Sequence, residues 1–298
     1  MKYDYAVYIG RFQPFHNGHR QVAIDALKQA KTLIFVLGGC NAPRTTRNPF
    51  TANERESIIT WALPAELLGR VRFTYVEDYP YENDRWVDNV RSVVNSNIHS
   101  KWSAEPFTVA LTGMRKDASS FYLELFPEWE RIFVEEFTDA VEFDPNSNPP
   151  VTVLKYDSTA IRQTWFTTQD RLWGHLSRVT AIPMVAESLD RMSDILNGIH
   201  RSEFVQLAKD YQWEVDYREK WGTHPSLTVD AVVVHDNSVL MIQRGGRYGR
   251  GLWALPGGFL NDGEQFKDAV FRELKEETGL TNVAAMRGIG GMFDEPNR

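Results

Sequence analysis

The sequence has a single cysteine, Cys40, among its 298 residues. That excludes an internal disulfide and any metal centre built from cysteine thiolates, and a reducing cytoplasm is the compartment that fits. No apolar run approaches the length of a membrane span, and the N-terminus lacks a signal-peptide pattern. Acidic residues outnumber basic ones, 40 to 33. The formal net charge of −7 argues against a non-specific nucleic-acid binder, which needs a basic footprint. An acidic balance still leaves small phosphorylated ligands open, since a local arginine cluster suffices for those. What is present, 42% hydrophobic and 24% charged residues over a length comfortable for two domains, describes a soluble globular protein without membrane or nucleic-acid partners.

The most informative stretch of the first two-thirds is Gly10-Arg11-Phe12-Gln13-Pro14-Phe15-His16-Asn17-Gly18-His19. It follows the apolar run Tyr5–Ile9, a buried strand, and precedes a helical stripe of Ala23, Ala26, Leu27 and Ala30. A strand, a glycine turn and a helix start form the place where free backbone N–H groups and the helix dipole favour an anion. His16 and His19 are three apart and share a helix face. With Arg11 they make a donor cluster that suits a phosphate better than a metal. On spacing alone, a turn histidine and a capping histidine remain the alternative.

Further strands are expected at Thr32–Leu37, Val71–Val76, Phe107–Leu111, Arg131–Phe137 and Val151–Tyr156, and helices at Asn53–Leu63 and Asp84–His99. Thr51 and Glu54 have the spacing of a capping box at the first of these helices. The alternation predicts an α/β domain with a doubly wound, mostly parallel sheet. Gly10, Gly38, Glu77-Asp78, Gly113 and Asp157-Ser158 all follow strands, at the edge where such sheets take ligands. Ser158-Thr159-Ala160-Ile161-Arg162 opens a helix, and as an isolated segment its hydroxyls read as caps. From Ala186 to Trp221 the pattern is helical and polar, broken at Asn197-Gly198, with a boundary at Gly222-Thr223-His224-Pro225. A strand at Leu227–Val234, a turn at Asp236-Asn237-Ser238 and a strand at Val239–Gln243 follow.

The stretch from Gly10 to His19 resembles the H-x-G-H motif of nucleotidylyltransferases, in the longer form found in archaeal-type nicotinamide mononucleotide adenylyltransferases. Ser158 to Arg162 resembles their second signature, S-T-x-x-R. The resemblance implies a Rossmann-like sheet and transfer of the adenylyl group of ATP to nicotinamide mononucleotide, giving NAD and pyrophosphate. It implies catalytic roles for His16, His19 and Arg162, and substrate contacts from Gly10, Arg11, Ser158 and Thr159. Arg47, before Asn-Pro-Phe-Thr, matches the family's phosphate-binding arginine; Arg44 lies in the same loop. Trp86 would stack on the nicotinamide ring, with Asn83 or Asp78 reading its amide. Residues 112–120, with Gly113 and Lys116, resemble the adenine side of the pocket.

In the last part of the chain, Gly258 is followed after five residues by Glu264, and after seven more by Arg272-Glu273-Leu274-Lys275-Glu276-Glu277-Thr278-Gly279-Leu280. Gln265 to Thr278 reads as a helix closed by Gly279. Its apolar stripe, begun by Phe266, Ala269 and Val270, continues onto Glu273 and Glu277, with Glu276 beside them. Carboxylates so crowded repel unless cations neutralise them. Arg272, four before Glu276, is placed to orient it.

The stretch resembles the Nudix box at every defined position. The resemblance implies an α/β/α sandwich and hydrolysis of a nucleoside diphosphate derivative, with ADP-ribose suggested by the neighbouring domain. Glu273, Glu276 and Glu277 would hold Mg²⁺ or Mn²⁺, with Glu264 auxiliary. The chain ends at Arg298, before the further strands and second helix such a sandwich needs, so the Nudix domain is expected to be C-terminally incomplete. The expected organisation is a transferase domain at 1–185, a helical connector at 186–222 and the Nudix domain at 223–298. Rival readings are an adenylyltransferase for another cofactor precursor, and a nucleotide sensor with an inactive Nudix domain. The oligomeric state is left open, a homo-oligomer included.

Overall fold

The computed structural model describes residues 1–79, 82–98, 107–113, 118–132, 134, 152–153, 157–168, 180–181, 184–222, 227–245, 251–283 and 291. It divides the chain into two compact units, Met1–Lys209 and Asp210–Arg298.

Five parallel strands carry the first unit: β1 (Tyr3–Gly10), β2 (Ala30–Gly38), β3 (Val71–Val76), β4 (Val109–Thr112) and β5 (Glu130–Ile132). Their spatial order is β3-β2-β1-β4-β5. The order reverses between β1 and β4, the switch point beyond whose strand ends open α/β sheets bind ligands. The doubly wound sheet expected from the alternation is therefore present.

The central strands read as continuous apolar runs because both of their faces are covered. Tyr5, Val7, Ile9, Ile34 and Val36 point to the side closed by α3 (Asn83–Ile98), which contributes Val87, Val90, Val94 and Ile98. The alternate residues Tyr8 and Phe35 meet on the other side of the sheet. Against β1 and β2 packs α1 (Asn17–Gln29), burying Val22, Ala23, Ala26 and Leu27. The helix stops one residue before Ala30, which is not the end of its stripe but the first residue of β2. α2 (Ala52–Ala62) opens with the expected capping box: Thr51 Oγ1 accepts from the Glu54 N–H, and the Glu54 carboxylate accepts from the Thr51 N–H.

Several boundaries differ from expectation. β4 begins two residues later than Phe107 and runs to Thr112. Of the strand expected at Arg131–Phe137, residues 130–132 are strand and Val134 is not; the others lie outside the described residues. Of that expected at Val151–Tyr156, β6 (Thr152–Val153) pairs in parallel with β7 (Thr180–Ala181), apart from the five-stranded sheet. α4 (Ser158–Thr168) follows. Both expected helices after it are present, as α5 (Ala186–Asn197) and α6 (Arg201–Trp221), separated at Gly198. Arg191 on α5 donates to Ser57 Oγ on α2 at 2.7 Å.

In the second unit, β8 (Thr228–Asp230) pairs with β13 (Gly257–Phe259), β9 (Val234–His235) with β10 (Ser238–Val239), and β11 (Ile242–Gln243) with β12 (Trp253–Ala254), all antiparallel. Asp236 and Asn237 form the expected tight turn, both at positive φ. The two long strands expected around it are corrected: each is broken into short pieces. Val232, Val234 and Val239 are exposed there, so no buried face enforces one register. α7 (Phe266–Thr278) closes with Gly279 in the left-handed conformation. Among the described residues no helix is long and apolar enough to cross a membrane.

Candidate active sites

The first site is built by the turn between β1 and α1. Phe12 adopts a positive φ of 49° and folds its buried ring back over Gly10. A Cβ on Gly10 would lie 2.7 Å from that ring, so only glycine permits the turn. Gln13 is buried and reaches across to the loop before α2, donating to the Phe50 carbonyl at 2.8 Å and accepting from the Phe50 N–H at 2.9 Å. The turn is thereby clamped before the helix starts.

His16 and His19 do form a cap, and in doing so they fix each other. His16 is the N-cap of α1; its Nδ1 accepts from the His19 N–H, and His19 Nδ1 accepts from the His16 N–H. With Nδ1 an acceptor in both, the proton of each neutral ring sits on Nε2. The rings stack with centroids 3.7 Å apart, and Phe12 and Phe15 wall the His19 ring at 5.1 and 5.5 Å.

α4 comes to this turn from 140 residues away in sequence. Arg162 donates to the Gln13 carbonyl at 2.5 Å and to Thr159 Oγ1 at 3.2 Å, while Ser158 Oγ donates to the Pro14 carbonyl at 2.9 Å. Capping of α4 falls instead to Asp157, which accepts from the Thr159 N–H. Burial lowers the Arg162 pKa; Asp157 opposes that, and the like charge of Arg47 adds to it. Arg47 and Arg162 are therefore close enough for their like charges to act on each other.

The two loop arginines have separate fates. Arg44 is engaged by both oxygens of Glu54, by Glu203 and by the Pro49 carbonyl, and lies over the Phe204 ring. Arg47 is exposed and makes no ion pair among the described residues. At the end of β3, Asp78 pairs with Arg11 at 3.1 Å, so two residues expected to contact different parts of the substrate contact each other here. Asn83 is exposed at the start of α3, and Trp86 is half-buried against the α3 cluster, 6.0 Å from Phe126. Gly113 follows β4 directly, next to Leu123 and Tyr122. Lys116 lies outside the described residues.

In the second unit, Arg272 is the hub of the acidic helix. It donates to both oxygens of Glu264 at 2.8 Å, to Glu273 at 2.6 Å, to the Phe259 carbonyl at 2.9 Å, and to Glu276 only at 3.4 Å. The expected Arg272–Glu276 orientation is thus the longest of its contacts. Hydrogen bonding from Arg272 and the Asn261 N–H holds the Glu264 carboxyl down at about 2. Glu277 accepts from the Gly257 N–H at 2.8 Å, and Glu273 lies so close over Gly258 that a Cβ there would meet its Oε1 at 2.5 Å. The expectation that the carboxylates occupy the buried stripe is corrected in part: Glu273 is half-buried, whereas Glu276 and Glu277 are exposed.

The chain is 40% identical over 144 residues to the nicotinamide/nicotinic acid mononucleotide adenylyltransferase of Acinetobacter baylyi, covering 48% of this chain and 73% of that one. It belongs to that adenylyltransferase family. Residues 7–102 match the cytidylyltransferase-like model and residues 224–297 the NUDIX domain model, so a nucleotidyltransferase domain and a Nudix domain share one chain. Over 75 residues, 25% of this chain, it is 41% identical to the ADP-ribose pyrophosphatase of Methanocaldococcus jannaschii, of which it spans 43%. A crystal structure of a bifunctional NMN adenylyltransferase/ADP ribose pyrophosphatase from Francisella tularensis superposes with a TM-score of 0.72 at 28% identity, covering 95% of this chain and 76% of that one. A second structure of that protein contains AMP and a manganese ion (TM-score 0.71, 27% identity, 94% and 75% coverage).

In this member of the family, sequence reasoning passed over Gln13 and Arg55. Arg55 occupies the buried stripe of α2 with Ile58, Ile59 and Ala62, and an arginine at an apolar helical position was the available signal. Among the described residues, no group of three or more His, Cys, Asp or Glu side chains is arranged to hold a metal ion. The donor chemistry on α7 nevertheless fits a divalent cation: hard carboxylate oxygens within one helical turn, over a glycine that makes room for one of them. Glu264, with both oxygens on Arg272, orients that arginine.

Proposed function

We propose that the chain transfers the adenylyl group of ATP to nicotinamide mononucleotide, giving NAD and pyrophosphate, and that its Nudix domain hydrolyses a nucleoside diphosphate derivative, ADP-ribose. One observation carries the first assignment: Arg162 and Ser158 of α4 hydrogen-bond the carbonyls of Gln13 and Pro14, in the turn that presents His16 and His19 at the sheet's switch point. That joins two cation-bearing segments at a helix N-terminus, where a polyphosphate is favoured.

The nucleotide's 5′-phosphate is already an anionic nucleophile and needs no general base. Its oxygen forms a bond to the α-phosphorus of ATP as the bond to the bridging oxygen of pyrophosphate breaks. Alignment and charge neutralisation are what this chain supplies. His16 and His19, held with Nε2 protonated, are donors for phosphate oxygens. Arg162 and Arg47 neutralise the departing pyrophosphate, and Arg11 exchanges Asp78 for phosphate. Asp78, Asn83 and Trp86 receive the nicotinamide end, Gly113 and Lys116 the adenine side, and Ser158 and Thr159 line the site beside Arg162. Glu273, Glu276 and Glu277 would hold Mg²⁺ or Mn²⁺ on the Nudix helix, where the ion would supply an activated water, and a further ion carried in on ATP would help neutralise the pyrophosphate.

The test is pyrophosphate release from ATP and Mg²⁺ with nicotinamide mononucleotide against other phosphorylated acceptors, for the wild type and His19→Ala. Release confined to the nicotinamide acceptor and lost in the variant is expected. No release with any acceptor would favour a sensor, and release with a different acceptor would relocate the substrate.

A further inference from the structure

Arg55 is 1% exposed, deep beneath the phosphate-facing turn. Its Nη1 donates to the carbonyl of Arg11, just past β1, at 2.8 Å and to that of Gly38, the last residue of β2, at 2.7 Å; Nε donates to the Thr51 carbonyl at the cap of α2. All three acceptors are neutral, and the side chain makes no ion pair among the described residues. Arg11, Cys40, Glu54 and Asp78 are the charged or titratable groups acting on it from the surrounding elements, and burial lowers its pKa to about 10. The nearest acids have other partners: Glu54 takes both terminal nitrogens of Arg44, and Asp78 takes Arg11.

A buried cation with no ion pair is costly to desolvate. It persists where its field acts on something absent from the empty protein. We propose that Arg55 is a positioning residue for the adenylyl-transfer site, holding the turn at Arg11 against the end of β2 while lending uncompensated positive charge to the bound ATP phosphates. The inference rests on the transferase reading given above. Three hydrogen bonds give it a structural task as well, so its test must separate charge from shape.

Lysine and glutamine make that separation. Arg55→Lys keeps the charge at neutral pH; burial brings its pKa down into the alkaline working range, where the neutral amine still has two N–H donors for the two carbonyls. The KM for ATP and inhibition by inorganic tripolyphosphate are measured from pH 7.5 to 10 for wild type, Arg55→Lys and Arg55→Gln, with melting temperatures in the absence of nucleotide. We expect Arg55→Gln to raise the KM for ATP on the order of tenfold at all pH values, with a smaller change in the KM for the acceptor. Arg55→Lys should resemble the wild type at pH 7.5 and approach Arg55→Gln at pH 10. Both variants should melt below wild type, since each gives up donors to buried carbonyls, so the pH dependence of ATP affinity rather than stability carries the distinction.

A variant that fails to fold, or a pH-independent ATP affinity for Arg55→Lys, would overturn the charge role and leave Arg55 as scaffold. A wild type that releases no pyrophosphate would overturn the transferase reading instead. Tripolyphosphate binding, followed by its protection against thermal unfolding, would still report on Arg55 in that case.

Discussion

Replacing Arg44 and Arg47, three residues apart in one loop, should give opposite phenotypes. The Arg44 side chain is 11% exposed and that of Glu54 14%, so the bidentate pair is largely desolvated. Burial alone would raise the Glu54 carboxyl; the Arg44 guanidinium and the Thr51 N–H overcome it and hold the pKa below its ordinary value. Arg44→Met leaves that carboxylate buried and unpaired at neutral pH, a loss on the order of 3 kcal/mol. Glu203, whose side chain is 50% exposed, adds little. For a unit of this size each kcal/mol moves the melting temperature by about 2–4 °C, so a drop of roughly 6–12 °C follows. A carboxyl with a depressed folded pKa contributes stability above its ordinary value and loses it as pH falls through the folded one. The gap between wild type and variant should therefore narrow below about pH 4. Arg47→Met should melt within about 1 °C of wild type, since it removes no buried contact, yet lower kcat/KM for ATP by about tenfold or more. Circular-dichroism melts at pH 7 and pH 3, run beside a pyrophosphate-release assay, check both halves. An Arg44→Met protein with unchanged melting and lost transfer, or a destabilised Arg47→Met, would refute the division of labour.

Three further outcomes follow from the packing. Gly10→Ala places a methyl 2.7 Å from the buried Phe12 ring and should destabilise the first unit by about 1–3 kcal/mol in denaturant melts, with a larger proportional loss of transfer because His19 leans on that ring. Gly258→Ala should cut hydrolysis of ADP-ribose at least tenfold while leaving adenylyl transfer intact, because a Cβ there collides with the Glu273 carboxylate; equal hydrolysis by wild type and variant would remove Glu273 from the mechanism. Ser158→Ala should raise the KM for ATP severalfold with little change in melting temperature, as α4 is capped by Asp157 rather than by the lost hydroxyl.

The parts of the fold legible in sequence are those whose signals are local. The Thr51/Glu54 capping box, the Gly198 break and the Gly279 cap each declare themselves within four residues, and the Gly10–His19 turn is one unbroken stretch of the chain. The apolar runs of β1 to β3 also declare themselves, because both of their faces are buried. The strands of the second unit do not: Val232, Val234 and Val239 are apolar by composition yet exposed, so composition overstated their length. What joins Arg11 to Asp78, or Arg162 to Gln13, is a contact across 67 or 149 residues, which no spacing rule encodes. The choice between Arg44 and Arg47 as the phosphate ligand rested on motif position, and the structure adds the physical ground that Arg44 is already occupied. Arg55 went unread because a helical arginine is assumed to face water, although its neighbours Ile58 and Ile59 marked the stripe.

The crossed Nδ1 bonds of His16 and His19 have a consequence for how mutants of this site are interpreted. Each imidazole has two nitrogens with two different employers: Nδ1 serves the backbone at the start of α1, and Nε2 carries the proton proposed for phosphate oxygens. The helix, by demanding an acceptor, selects the tautomer, so the protonation pattern useful for chemistry is written by folding itself. An alanine at either position removes both services together, and its phenotype cannot be divided between them. Asparagine, whose carbonyl can still accept from a helix N–H, restores the first service alone. The difference between the asparagine and alanine variants is then the measure of what Nδ1 contributes, and the loss that remains in the asparagine variant is that of Nε2.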